Sequence, residues 1–178
     1  FLASGSYHAD NVSPAILGGF TLVRGYDPLE VIKIKSPNDL YVTIIHPHIE
    51  VKTSEARNIL PKEIPLKTAI TQWGNLGGLI SGLYTEDYGL IGRSLNDVVA
   101  EPYRKNLIPE FDNVKKTAIE NGALGCGISG SGPSVFALSK GIHVAENVSD
   151  GIKKVYSKTG IGYAIYVSKV CDEGVKVI

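Results

Sequence analysis

The chain has 178 residues, 43% of them apolar, with 18 basic side chains against 18 acidic ones. That length suits one ordinary domain, or one domain plus a piece of another, and the balanced charge excludes the long-range field of a nucleic-acid or anionic-membrane binder, so any anion site must be local. Cys126 and Cys171 stand far apart without a CxxC pair or a Cys/His cluster, which predicts two buried thiols in a reducing, cytoplasmic setting.

No apolar run approaches the roughly 18–20 residues that span a bilayer, and no basic region with an apolar stretch opens the chain, so a soluble protein without membrane contact is expected. The first residue is Phe1 and there is no methionine. The expectation is therefore that further residues lie upstream.

The first segment places His8-Ala9-Asp10-Asn11 in a small, polar stretch before the apolar run 15–23. Gly18 and Gly19 within that run suit a bend ahead of a short strand. Residues 31–35 alternate Ile with Lys, as a strand with one wet face does, and residues 40–45 are nearly all apolar, as in a central strand. The clearest period follows: Leu66, Ala69, Ile70, Trp73, Leu76, Gly77, Ile80 and Leu83 recur at three- and four-residue steps, predicting a helix with that face in the core.

A second helix is predicted through Leu90, Ile91, Leu95, Val98 and Val99, and a third from Phe111 to a stop at Asn121-Gly122. After a glycine-rich loop come a strand over 134–138, a helix marked by Val144, Val148, Ile152 and Val155, and a strand over 163–167. Residues 175–178 suit an edge strand. The order predicts an α+β fold in which a split β-α-β, ferredoxin-like and mostly antiparallel sheet has helices packed on one side. The Gly25-Tyr26-Asp27-Pro28 turn is the expected domain boundary, dividing residues 1–25 from 26–178.

Residues 122–133 hold five glycines ahead of Pro133. Glycines let backbone N–H groups converge on an anion, and Ser129 and Ser131 add hydroxyls, so the loop reads either as a phosphate contact or as a tight turn that needs small residues. Gly125, Gly127 and Gly130 also spell G-x-G-x-x-G. That fingerprint needs a strand before it and a helix after it, whereas here a helix leads in and a strand leads out, so the dinucleotide reading is rejected. No G-x-x-x-x-G-K-[ST] phosphate loop occurs. His46 and His48 make only half a metal site, with Pro47 between them, so no metal site is assigned.

The run Gly-Ile-Ser-Gly-Ser-Gly-Pro-Ser over 127–134 resembles the third motif of the GHMP small-molecule kinases. Their homoserine kinase branch is resembled further by His8-Ala9-Asp10-Asn11-Val12, by Thr53 and Arg57 four residues apart, and by Glu101-Pro102-Tyr103-Arg104. The chain departs from the family in one respect: a Pro-x-x-x-Gly-Leu-Gly-Ser-Ser-like loop is absent.

The resemblance implies a GHMP kinase C-terminal domain at 26–178, preceded at 1–25 by the tail end of the N-terminal domain. It also implies transfer of the ATP γ-phosphoryl group to the side-chain hydroxyl of L-homoserine, in threonine biosynthesis. Arg57 and Arg104 would hold the substrate carboxylate, and bidentate guanidinium contacts suit that task. His8, Asn11, Thr53 and Gly130 would face the rest of the substrate. Gly127, Ser129, Gly130, Ser131 and Gly132 would support the phosphates.

Asp10, beside Asn11, reads as a base, an ion partner or a contact to the substrate amine. The main ligands for ATP and Mg²⁺ are expected outside this chain, which is therefore expected to be inactive alone; a homodimer is compatible with the sequence. Two other readings stay open: a kinase for a different small alcohol, and a non-catalytic α+β module for ligand binding or dimerisation.

Overall fold

The structure is a computed structural model that describes residues 9–176. It opens with helix α1 (Ala9–Leu17), strands β1 (Phe20–Tyr26), β2 (Leu29–Ile34) and β3 (Leu40–Pro47), then helices α2 (Thr53–Asn58), α3 (Leu66–Thr85), α4 (Tyr88–Ser94) and α5 (Glu101–Arg104). A 3₁₀ turn (Lys105–Leu107) leads to α6 (Phe111–Glu120), β4 (Gly125–Ile128), β5 (Val135–Lys140), α7 (Ile142–Tyr156) and β6 (Tyr163–Lys169).

β4, β5, β3 and β6 lie side by side in that order, and every neighbouring pair is antiparallel. β3 connects through helices to β4 with β5 lying between them, and β5 connects through α7 to β6 with β3 between them. The α+β class and its two split β-α-β units are thus both present.

β3 is mostly apolar because both its edges and both its faces are covered. Ile45 and Thr43 point one way, and the buried Thr43 hydroxyl donates to the Ala145 carbonyl on α7 at 2.9 Å. Leu40 and Val42 point the other way, with Leu138 and Phe136 of β5. On the first face, α6 buries Phe111, Val114 and Ala118, and α7 buries Ala145, Val148, Ile152 and Tyr156, at the three- and four-residue steps of a helix. Complete burial of a side chain such as Ile152 contributes roughly 1.5–3 kcal/mol.

On the second face, Leu83 of α3, Ile91 of α4 and Ile34 of β2 form a separate cluster with Leu40 and Leu138. The ferredoxin-like sheet therefore carries its two crossover helices α6 and α7 on one side and gains a further layer on the other.

Several local expectations change. Residues 9–17 form a helix with Pro14 inside it, which forgoes one bond of the ladder, the one to the carbonyl of Asp10. The bend at Gly18 and Gly19 is present. Gly18 has φ of 73°, and a Cβ there would fall 2.5 Å from the backbone of Glu173, so the segment after β6 passes directly against it. Lys33 Nζ donates to the carbonyls of Leu17 and Asp172 and pins the end of α1 to that segment. The turn at 25–28 joins β1 to β2 within one antiparallel ladder, so the chain continues in paired structure across the expected boundary.

The outer face of α3 is the largest correction. Leu66 is 68% exposed, Ile70 56%, Trp73 62% and Leu76 44%, whereas Ala69, Gly82 and Leu83 are buried. α4 approaches α3 through glycine: a Cβ on Gly82 would lie 2.9 Å from the Ile91 nitrogen. Gly78 and Gly82 meet α4, Leu79, Ile80 and Leu83 join the cluster on the second face, and Leu66, Ile70, Trp73 and Leu76 face outward.

The helix expected to run to Val99 ends at Ser94. Residues 125–128, read as loop, form β4, and residues 175–176 form no strand, while 177–178 lie outside the described residues. Cys126 is buried as expected, but Cys171, just beyond the last strand, is exposed.

Candidate functional site

The chemistry-bearing segments meet at the end of the sheet where β3 finishes, at the turn between β4 and β5. Residues 129–134 make that turn. Ser129 N–H donates to Ser134 O at 2.9 Å and Gly132 N–H to Ser129 O at 3.0 Å. Gly130 and Gly132 have φ of 60° and 84°, and the Gly132–Pro133 peptide is cis. A Cβ on Gly132 would press on Ile108 Cδ1 at 2.9 Å, whereas one on Gly130 would meet nothing within 4 Å. Gly132 is therefore fixed by packing as well as by conformation, and Gly130 by conformation alone. Ser134 Oγ lies 2.9 Å from His46 Nδ1, which ties the turn to the end of β3.

Arg104 joins this turn to α2. Its Nε donates to Ala56 O at 3.1 Å and its Nη1 to Gly130 O at 2.9 Å. Two of its five donors are thus used in holding the plane of the guanidinium, and the rest of the fork is left to bind an anion. The short helix carrying Arg104 is itself held from upstream: Asp97 accepts N–H bonds from Val99, Ala100 and Glu101 at 2.8, 2.9 and 3.1 Å. Pro102 adds a fixed φ in the first turn of α5.

Glu101, with its side chain only 12% exposed, pairs with Lys115 of α6 next to Gly127. Neither Asp97 nor the His46–Ser134 contact was assigned from sequence. An Asp just ahead of a Glu-Pro helix start is a capping signal that could have found the first; the second joins residues 88 apart and has no local signal.

α2 starts at Thr53, so Thr53 and Arg57 stand one turn apart on one face, and both are exposed. The Arg104–Ala56 bond brings that helix to the turn.

Gly127 lies in β4, opposite Phe136, with that ring 3.3 Å from where a Cβ would be, so it belongs to the ladder rather than to the loop. The N–H groups of Ser129 and Gly132 are spent within the turn, which leaves those of Gly130 and Ser131 without a backbone partner among the described residues. Two such donors fall short of a complete nucleotide phosphate site. No group of three His, Cys, Asp or Glu that could hold a metal ion occurs among the described residues.

Asp10 and Asn11 are exposed in the first turn of α1, and His8 lies outside the described residues. No contact joins Asp10 or Asn11 to Arg104 or to the turn among the described residues. The C-terminal end of α1 is anchored at the opposite end of the sheet, where Gly19 N–H donates to Cys171 O and Val170 N–H to Leu40 O.

A cleft of about 180 Å³ lies beside the site, lined by Gln72 of α3, Asn96, Asp97, Glu101, Gly127 and Phe136. Cys126, on β4 next to it, is no nucleophile: burial pushes its thiol up to about 12. No described helix is long and apolar enough to cross a membrane.

Residues 79–158 match the family described as GHMP kinases C terminal. Over 179 aligned residues, 99% of this chain and 56% of the relative, the sequence is 54% identical to homoserine kinase of Chlorobium phaeobacteroides. The crystal structure of homoserine kinase from Cytophaga hutchinsonii is 57% identical and superposes with a TM-score of 0.97, covering all of this chain and 56% of that one. The Leishmania major mevalonate kinase, at 16% identity and a TM-score of 0.64 over 80% of this chain and 46% of that one, shares the fold. The chain spans 56% of the length of the homoserine kinase relative.

Proposed function

We propose that this chain, whose residues 79–158 match the C-terminal family of the GHMP kinases, is part of a homoserine kinase, transferring the γ-phosphoryl group of ATP to the side-chain hydroxyl of L-homoserine. The observation that carries this reading is the position of Arg104, bonded at once to the helix that bears Thr53 and Arg57 and to the glycine turn at Gly130. A guanidinium braced in this way is suited to a small carboxylate, because the entropy of ordering it has already been spent.

In this reading Arg104 and Arg57 take the substrate carboxylate. Thr53, with His8 and Asn11 from the first segment, orients its amine and hydroxyl. Gly130 and Ser131 add backbone donors beneath the phosphates, with Gly127, Ser129 and Gly132 shaping the turn. Asp10 would contact the substrate amine or the reacting hydroxyl.

Phosphoryl transfer through a loose transition state asks mainly for alignment and charge stabilisation, so this set of positioning groups suits it without a strong base. ATP and Mg²⁺ would find their main ligands in the part of the protein that corresponds to the remaining length of its relatives. The 178-residue chain alone would then turn over little or no substrate. Threonine biosynthesis and a cytoplasmic location belong to the same proposal.

Calorimetry and a coupled ADP assay test it. The protein with its full phosphate-binding part should phosphorylate homoserine in preference to mevalonate or other small alcohols lacking a carboxylate beside an amine, and the 178-residue chain should bind homoserine without turnover. Equal activity on alcohols without the amino-acid group would sink the homoserine assignment while leaving the family intact.

A further inference from the structure

We infer that Asp97 is a positioning residue for the substrate carboxylate, acting through Arg104: it fixes the one-turn helix α5, and α5 fixes the direction in which the guanidinium is presented. The identity of the substrate rests on the homoserine reading above, whereas the geometry rests on hydrogen bonds alone.

α5 has four residues. A helix that short has no stability of its own, because fixing the backbone of a single turn costs more than its hydrogen bonds return. Arg104 N–H donates to Ala100 O at 3.0 Å and Tyr103 N–H to the same carbonyl at 3.2 Å. Whatever orders α5 must therefore come from outside it.

The outside bonds converge on Asp97. The N–H groups that lead into a helix have no partner within it. Here Val98 N–H donates to Gln72 Oε1 at 3.0 Å, Val99 and Ala100 to Asp97 Oδ1 at 2.8 and 2.9 Å, and Glu101 to Asp97 Oδ2 at 3.1 Å. One carboxylate takes three of these four successive donors, and bonds to an ionised acceptor are the strong kind.

Asp97 is held in its turn. Asn75 Nδ2 of α3 donates to Asn96 O at 2.7 Å, so α3 grips the chain on both sides of Asp97. At the first residue of α5, Glu101 pairs with Lys115 of α6. The last residue of the turn so clamped is Arg104, whose Nε and Nη1 reach Ala56 O and Gly130 O. A tilt of α5 would carry the guanidinium away from both carbonyls and from the carboxylate it is aimed at.

Steady-state kinetics on the complete enzyme tests this with Asp97→Ala, Asp97→Asn, and Asp97→Ala combined with Arg104→Ala. Asp97→Ala should raise KM for homoserine about tenfold, with kcat changed by less than about threefold. Asp97→Asn keeps an acceptor for Val99 and Ala100 and loses the one for Glu101, so its KM should fall between those of the parent and Asp97→Ala. In the Arg104→Ala background, Asp97→Ala should change KM by less than about twofold, because nothing is left to position. Val148→Ala, a truncation in the buried face of α7, controls for lost stability and should melt earlier at parent KM.

A second readout needs no substrate. The Arg104 Nε–H resonance, identified by its loss in Arg104→Lys, should exchange slowly with water in the parent, where it is bonded to Ala56 O, and rapidly in Asp97→Ala. Parent KM in folded Asp97→Ala overturns the inference, as does a KM effect undiminished in the Arg104→Ala background; Asp97→Asn takes its place in both comparisons if the alanine variant fails to fold. A complete enzyme that leaves homoserine unphosphorylated sinks the homoserine reading instead, and the resonance then decides the role of Asp97: unchanged exchange in the Asp97 variant overturns it.

Discussion

Arg104 and Gly130 are joined by a 2.9 Å bond from Nη1 to the backbone carbonyl, so a side chain of α5 fixes a turn 26 residues further along the chain. Because the same guanidinium also holds Ala56 O, its removal would free α2 and the turn from each other at once.

Arg104→Lys keeps the charge and loses the fork. In the complete enzyme it should raise KM for homoserine by about 10–100-fold with a smaller change in kcat, the signature of lost ground-state binding worth about 1.5–3 kcal/mol. Steady-state kinetics with homoserine varied at saturating ATP measures it. Loss of kcat at unchanged KM would show that Arg104 acts on the transferring group instead.

Gly132→Ala and Gly130→Ala separate packing from conformation in the turn. Both glycines have positive φ, which costs a residue with a Cβ about 1–2 kcal/mol. Only at Gly132 does the added carbon also run into Ile108, for a further cost of about 1–3 kcal/mol. Urea unfolding should therefore rank Gly132→Ala clearly below Gly130→Ala in stability. Equal losses would mean that Ile108 yields freely.

Alkaline stability should fall for a specific reason. Burial pushes the Cys126 thiol from 9.0 up to about 12, and the Tyr156 hydroxyl, which donates to Pro109 O, from 10.0 up to about 12. Between those limits the unfolded chain releases protons that the folded chain retains. Stability is therefore full below about pH 9 and declines as pH rises toward about 12. Denaturation midpoints measured across that range should flatten in Cys126→Ala, and at neutral pH a thiol reagent should label the exposed Cys171 while sparing Cys126 until the protein unfolds.

The sequence made some elements plain and hid others for identifiable reasons. α6 and α7 were legible because Phe111, Val114 and Ala118, and likewise Val148 and Ile152, meet one buried face each, so period and burial coincide. β3 was legible because residues 40–45 are nearly all apolar, as a strand covered on both faces requires.

α3 misled in orientation although not in existence. Both of its arcs are apolar, and a period alone cannot say which one a glycine-mediated contact will choose. β4 was hidden because Gly125 and Gly127 carry no side chain to alternate; Leu95 lies 2.5 Å from where a Cβ on Gly125 would be, which explains the glycine better than a ligand would. Within the candidate site, the one-turn spacing of Thr53 and Arg57 could be read directly. The union of Arg104 with Ala56 and Gly130 could not, since it joins segments 48 and 26 residues away.

The strand order has a consequence for how the chain comes into being. β3 lies in the middle of the sheet, yet both of its neighbours come late: Leu40 pairs with Lys140, and Tyr41 with Lys169. During synthesis β3 must wait, with both edges unsatisfied, while about a hundred further residues are made. Pairings of such long sequence separation are slow to form. The interval before β5 and β6 emerge is when this apolar strand is most open to pairing with the wrong chain.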